Sequence, residues 1–267
     1  MIESTAHPLI RRMRAVAADR RLRRAERLML LEGVRLVADG LASGLAFEAI
    51  VYDEATLEAT AAGRALYRLL LRDPCALPAS PRAVGHAADT VQPQGVVGLA
   101  RWPAPPPGTA GVTLVLDELQ DPGNAGTLLR SAEAAGAVQV LATRGSVDLY
   151  APKVVRAAMG AHARLALAQD LTWSDIVDRL LGVPLLVADA LAATPYYAVS
   201  WLAAPALIIG NEARGISAAA RRHATGTVMI PMLGGESLNA AVAGSVMLFE
   251  AARQRAVSAG AGSERTP

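Results

Sequence analysis

Three short polar segments stand out as places where chemistry could happen, each following an apolar run. The first, "LDELQDPGNAGTLLRSAEAAGA" from Leu116, holds a turn that feeds a helix, with Asn124 at the turn and Arg130 about two helical turns on. The second, "LIIGNEARGIS" from Leu207, runs an apolar stretch straight into Gly210, where a missing Cβ permits close backbone approach, and then presents the carboxylate of Glu212. The third, "IPMLGGESLNAAVAGSVMLFEAAR" from Ile230, pairs a glycine loop with Ser237 and Asn239 ahead of a small-residue helix. A guanidinium such as that of Arg130 is a planar donor fork suited to gripping a phosphate. Each segment also has a structural reading: Asn124, Ser217 and Ser237 are good helix caps, Arg130 suits an exposed helix face, and "AAVAGSVM" suits tight packing.

The elements around these turns form an α/β pattern. Beyond the proline-rich stretch "ARWPAPPPGTAG" the apolar runs begin at Val112, Val138, Arg164, Pro184, Ala206 and Thr227. Helical segments are expected at Ala125–Ala135, Pro152–Met159, Ser174–Leu181, Ser217–His223 and Leu238–Arg255 between and after them. Strands apolar throughout, alternating with helices, predict a parallel sheet buried on both faces, and ligands of such sheets sit beyond the carboxyl ends of the strands. Before the prolines, "RLMLLEGVRLVADGLASG" has apolar residues at helical spacing, while "FEAIVYD" and "GVVGLA" read as short strands. The expected domains are therefore 1–100, a linker at 101–111, a larger domain at 112–257 and a disordered polar tail at 258–267.

Composition narrows the function. The chain has 267 residues, 52% hydrophobic and 19% charged, which fits a folded protein with a sizeable core. Its net charge of +2 is small, but Arg11, Arg20, Arg21, Arg23 and Arg24 belong to a local basic stripe that suits phosphates or, equally, a solvated face. Cys75 is the only cysteine, which excludes an internal disulfide and a cysteine-based structural zinc site. No metal is expected, because His7, His86, His162 and His223 lack paired ligand spacing. There is no G-x-G-x-x-G after the first strand of the larger domain, and Lys153, the only lysine, follows a proline rather than a phosphate-binding glycine loop. No apolar run has signal-peptide or membrane-spanning length, so the expected location is cytoplasmic and no membrane partner is expected.

Taken together, N-x-G-x-x-x-R, then G-N-E-x-x-G, then I-P-M followed by E-S-L-N resembles the three signature motifs of the SpoU/TrmH RNA 2′-O-ribose methyltransferases, over about half the chain. The first hundred residues are similar, more loosely, to the L30e-like substrate-binding domain found upstream in many members. The resemblance implies a parallel α/β sheet with a C-terminal deep trefoil knot, which sequence physics alone would reject because knots are so rare. It implies S-adenosylmethionine as cofactor, held around Gly210, Ile230 and Leu238, with Ala188 in an adjoining loop. It also implies Arg130 as the central catalytic residue among Asn124, Glu212, Ser237 and Asn239. A general-base role for Arg130 conflicts with a guanidinium pKa above about 12, and orientation of a phosphate suits its chemistry better. The implied partners are RNA, ribosomal rather than transfer RNA, and a second copy packed through the knot. The alternatives are a non-catalytic knotted RNA-binding protein acting in ribosome assembly, a tRNA 2′-O-methyltransferase, and a methyltransferase acting on a base.

Overall fold

The computed structural model describes residues 1–104, 111–234 and 237–263, with side chains to residue 259. The chain divides into two compact units, 1–104 with 150–163, and 105–149 with 164–267.

In the first unit, α1 (Pro8–Ala18) and α2 (Arg20–Glu26) lead into β1 (Leu28–Glu32), α3 (Val34–Ala42) and β2 (Phe47–Tyr52). Then come α4 (Glu54–Glu58), α5 (Ala61–Leu70), β3 (Ala76–Pro78), α6 (Pro81–Ala87) and β4 (Val96–Arg101). The strands form one sheet in the order β1-β4-β2-β3, parallel only between β2 and β3.

The helix expected through Leu28–Glu32 is a strand. Left-handed Arg27 (φ 54°) and Gly33 (φ 99°) bracket it, and all five of its residues are buried. Alternation explains this: Leu28 and Leu30 join Ile10, Met13 and Val16 on one face, while Met29 and Leu31 line a small cleft with Leu36 and Val155 on the other. A continuous apolar run buried on both faces mimics helical spacing.

Val155 belongs to a helix, Pro152–Ala158, that the linear domain division placed in the second half. It packs on β1 within the first unit. Arg156 bonds Asp89 at 2.9 Å and approaches Glu32 at 3.5 Å. At the expected linker, Trp102 stacks on Tyr150 with ring centroids 3.8 Å apart, and its indole N–H donates to the Leu28 carbonyl at 2.8 Å. The start of that segment is therefore anchored, and residues 105–110 lie outside the described residues.

The second unit holds β5 (Thr113–Leu116), α7 (Pro122–Ala134), β6 (Gln139–Thr143), β7 (Ala166–Leu171), α9 (Trp173–Arg179), β8 (Leu185–Ala188), β9 (Ala206–Ile209), α10 (Ala218–His223), β10 (Gly226–Val228) and α11 (Ala240–Ser263), with α8 being the Pro152–Ala158 helix. Its six strands run β10-β8-β9-β5-β6-β7, and every pairing is parallel, as the apolar runs predicted. On one face Val115, Leu141, Val187 and Ile208 pack against Ile176 of α9 and Ala220 of α10. Elsewhere α11 packs along α7, so closely that a Cβ on Gly244 would lie 2.5 Å from Leu128 Cδ2.

The tail expected to begin at 258 is helical to Ser263. Alanine carries the helix through "AVSAGAGS" despite two glycines. Residues 264–267 lie outside the described residues.

Candidate active site

The site is built at the carboxyl ends of β5, β8, β9 and β10. Asp121, not Asn124, caps α7: its carboxylate accepts the Asn124 backbone N–H at 2.7 Å. The Asn124 side chain is thereby released, and it bridges two other turns. Its Nδ2 donates to Glu212 Oε1 at 3.0 Å, and its Oδ1 accepts from Asn239 Nδ2 at 3.0 Å.

Glu212 also receives the backbone N–H groups of Asp121 at 3.0 Å and Gln120 at 3.2 Å. Asn239 Oδ1 accepts the N–H groups of Ala241 and Val242 at 2.9 and 3.2 Å, so Asn239 rather than Ser237 caps α11. Three turns, the first lying 88 and 115 residues before the other two, are therefore tied into one hydrogen-bonded line.

Partial burial pushes the Glu212 carboxyl up. Hydrogen bonds from the Asn124 amide and the backbone N–H groups of Glu212, Asp121 and Gln120 outweigh it and hold the pKa below the ordinary glutamate value. A carboxyl with a depressed folded pKa contributes stability that is fully present above its unfolded pKa, about 4.3, and is lost as pH falls through the folded value. Glu212→Gln is expected to lower stability at neutral pH and to flatten its decline below about pH 4.3. Urea midpoints at pH 7, 5, 4 and 3 check this, and parallel acid limbs for the two proteins would refute it.

The Gly210 loop is clasped from the end of β5. Buried Asp117 accepts from the Ser217 backbone N–H at 2.8 Å, Ser217 Oγ at 3.1 Å and Trp173 Nε1 at 3.1 Å. The next residue, Glu118, accepts from Asn211 Nδ2 through its carbonyl and from Arg214 through its carboxylate, both at 2.9 Å. Gly210 is also required by the loop itself, because a Cβ there would lie 2.6 Å from the Gly215 carbonyl carbon and oxygen. Asp117 and Glu118 carried no motif that would have singled them out. The only signal was their position at a strand end.

Beside this line lies a cavity of about 370 Å³, within the usual range for small-molecule sites, about 300–1,000 Å³. Ala188, Gly210, Glu212, Ile230, Ser237, Leu238 and Asn239 all line it, as do Ile209, Met229 and Met247. Asn124 borders it only through its two partners. Arg130 does not line it: it is exposed on α7, and among the described residues no hydrogen bond or ion pair holds its guanidinium. Glu212 thus positions Asn124, not Arg130. Glu236 lies outside the described residues, and among those described no group of three or more His, Cys, Asp or Glu is arranged to hold a metal.

In the first unit, Arg11, Arg20, Arg21 and Arg24 are exposed. Arg23 is buried instead, donating to the carbonyls of Val16 and Ala17 at 2.6 and 2.7 Å at the end of α1. Its place in a phosphate-binding stripe is a correction: the guanidinium there satisfies helix-end carbonyls.

A parallel sheet with an apolar cavity beyond its strand ends, rimmed by a few convergent polar groups, is the arrangement of an α/β protein with a small-molecule site. Residues 111–249 match the SpoU rRNA methylase family, and residues 7–98 match the MRM3-like substrate-binding domain. The chain belongs to the SpoU rRNA methylase family. It is an RNA methyltransferase.

Similar proteins include the 23S rRNA (guanosine(2553)-2′-O)-methyltransferase RlmP of Bacillus subtilis, 31% identical over 82% of this chain and 86% of that one. Mouse mitochondrial rRNA methyltransferase 3 is 30% identical over 90% of this chain and 70% of that one. The SpoU methyltransferase AviRb of Streptomyces viridochromogenes, solved with its cofactor AdoMet, superposes with a TM-score of 0.82 at 27% identity, over 94% and 98% of the two chains.

Proposed function

We propose that this protein transfers the methyl group of S-adenosylmethionine to a ribose 2′-hydroxyl of ribosomal RNA, with the cofactor in the cavity bounded by Gly210, Ile230 and Leu238. The observation that carries this reading is the line Glu212–Asn124–Asn239, which fixes three turns at the edge of one apolar cavity. The residues suit the cofactor. Ile230, Leu238 and Met247 give apolar surface for a nucleobase and thioether, and the polar groups are few and converge on one side.

The cofactor supplies an electrophilic methyl, and the rest falls to the chain. Ser237, exposed at the cavity edge, and Asn239 flank the acceptor ribose. Arg130 grips the adjoining phosphate with its donor fork and so aligns the hydroxyl, while Asn124 is held rigid by Glu212. Ser237 would accept a hydrogen bond from that hydroxyl and relay its proton to solvent, to which it is exposed.

The family's trefoil knot is part of this reading, formed by the loops after β8, β9 and β10. So is a homodimer. Val242, Phe249 and Val257 are 48%, 51% and 60% exposed along the outside of α11, a row that a second copy would cover. With ribosomal RNA as substrate, the cytoplasm is the compartment proposed.

Incubation with ribosomal RNA and labelled cofactor, followed by digestion, tests the reaction, since a ribose product yields nuclease-resistant 2′-O-methyl dinucleotides. Label on a free base, or on transfer RNA alone, would overturn it. The exposed arginines are expected to carry RNA binding: Arg20→Ala/Arg21→Ala/Arg24→Ala should weaken affinity and lower the slope of log K against log salt by about 0.7–0.9 per lost phosphate contact. Arg23→Ala should instead lower the melting temperature with that slope unchanged, and equal salt slopes in both variants would sink the distinction.

A further inference from the structure

The hydrogen-bond inventory of the cavity leaves one strong acceptor with spare capacity. Five lining side chains can form directional polar contacts: Asp189, Asn211, Glu212, Ser237 and Asn239. Asn211 spends its Oδ1 on the N–H groups of Ala213 and Arg214 and an amide hydrogen on the Glu118 carbonyl. Glu212 takes three donors from the Gln120–Asn124 turn and its own backbone N–H, which together occupy its lone-pair sites. Asn239 Oδ1 takes two backbone N–H groups at the start of α11. Ser237 offers a single hydroxyl.

Asp189 differs from all of these. It sits at the carboxyl end of β8, the side of a parallel sheet where ligands bind. Its side chain is only 15% exposed and faces an Arg221 guanidinium, with Nη1 donating to Oδ2 at 2.6 Å. Oδ1 accepts the Leu191 N–H at 3.0 Å. These two bonds orient the carboxylate and use about two of its four lone-pair sites. The Leu191 N–H bond foremost, opposed by burial and assisted by Arg221, holds its pKa below the ordinary aspartate value, so it is ionised at neutral pH.

We propose that Asp189 reads the ribose of the cofactor, its carboxylate accepting the vicinal 2′- and 3′-hydroxyls. The cofactor's adenosyl group is rich in donors, and the neighbouring wall, Ala188, Ala190 and Met229, offers only apolar side chains. An ionised carboxylate with two free lone pairs is the natural acceptor for a cis-diol, the role such a group plays toward ribose in dinucleotide-binding sheets. Arg221 is then a positioning residue: it aims the carboxylate from α10 without touching the ligand. The proposal makes Asp189 a specificity element that excludes deoxyribosyl analogues. It rests on the cofactor lying in this cavity.

The test is calorimetric titration of the full chain with S-adenosylhomocysteine and its 2′-deoxy, 3′-deoxy and N6-methyl analogues. The wild-type protein is expected to lose on the order of 10- to 100-fold in affinity for each deoxy analogue, the range of a hydrogen bond to a charged group. Asp189→Ala should bind the parent and both deoxy analogues equally, while its response to N6-methylation matches that of wild type. Arg221→Ala, which keeps the carboxylate, should bind all ligands more weakly yet still discriminate. Discrimination that survives in Asp189→Ala, or is missing from wild type, overturns the diol assignment. If Asp189→Ala does not fold, Asp189→Asn replaces it, with loss of most of the discrimination expected and full discrimination overturning. Ile230→Arg, which fills the cavity, should abolish binding of every ligand; retained binding there would instead overturn the location of the cofactor.

Discussion

Arg130→Ala is expected to reduce methyl transfer by on the order of 10²–10³-fold, the usual cost of removing one positioned donor from a reacting centre, while S-adenosylhomocysteine binds as before. The two readouts separate because Arg130 does not line the cavity, yet it shares α7 with Asn124. Six residues along a helix is about 9 Å, so its long side chain can serve an RNA phosphate beside the rim. The guanidinium is exposed, and its removal leaves no buried carboxylate without a partner. A large change in stability is therefore not expected. Arg130→Lys should recover only part of the rate, since an ammonium keeps the charge but not the planar fork. Single-turnover rates at saturating RNA check this, and a rate within threefold of wild type, on the order of 0.7 kcal/mol, would remove Arg130 from the mechanism.

Gly210→Ala is expected to lower cofactor affinity at least tenfold and to lower the melting temperature as well. The new methyl would meet the Gly215 carbonyl group at 2.6 Å, backbone that cannot rotate away, and overpacking of this kind costs about 1–3 kcal/mol. The loop has little slack to absorb it, because Asp117 and Glu118 hold both of its ends. The strain should therefore appear as displacement of the Gly210–Ile216 wall of the cavity. Calorimetry with S-adenosylhomocysteine and a thermal melt, run side by side, measure the two effects. Unchanged affinity would show that this wall does not contact the ligand.

Much of this arrangement was legible in the residues. The six apolar runs of the second half all became strands of one parallel sheet, although only the central β5, β6 and β9 are buried along nearly their whole length. The turns were visible as polar residues at strand ends, yet their internal wiring was not. Asn124 and Ser237 looked like caps, and only the backbone course showed that Asp121 and Asn239 take that work.

Arg23 reads no differently from Arg24 in a string of arginines, and its burial is decided by where the end of α1 falls. Leu28–Glu32 misled for a related reason, since five apolar-rich residues fit either period. A glycine at 210 stands out as a place for close approach, but its contact with Gly215 across the folded loop cannot be read from spacing.

The helix at Pro152–Ala158 covers Met29 and Leu31 from a point in the chain long after the rest of its unit has been made. During synthesis, the ribosome emits β1 more than a hundred residues before the surface that will shelter one of its faces. The nascent amino-terminal portion must wait with apolar side chains bared, a state in which chains aggregate or recruit chaperones. A gene fragment ending near Ala104 inherits that exposed face permanently, whereas supplying the 150–163 stretch as a separate peptide should restore its solubility.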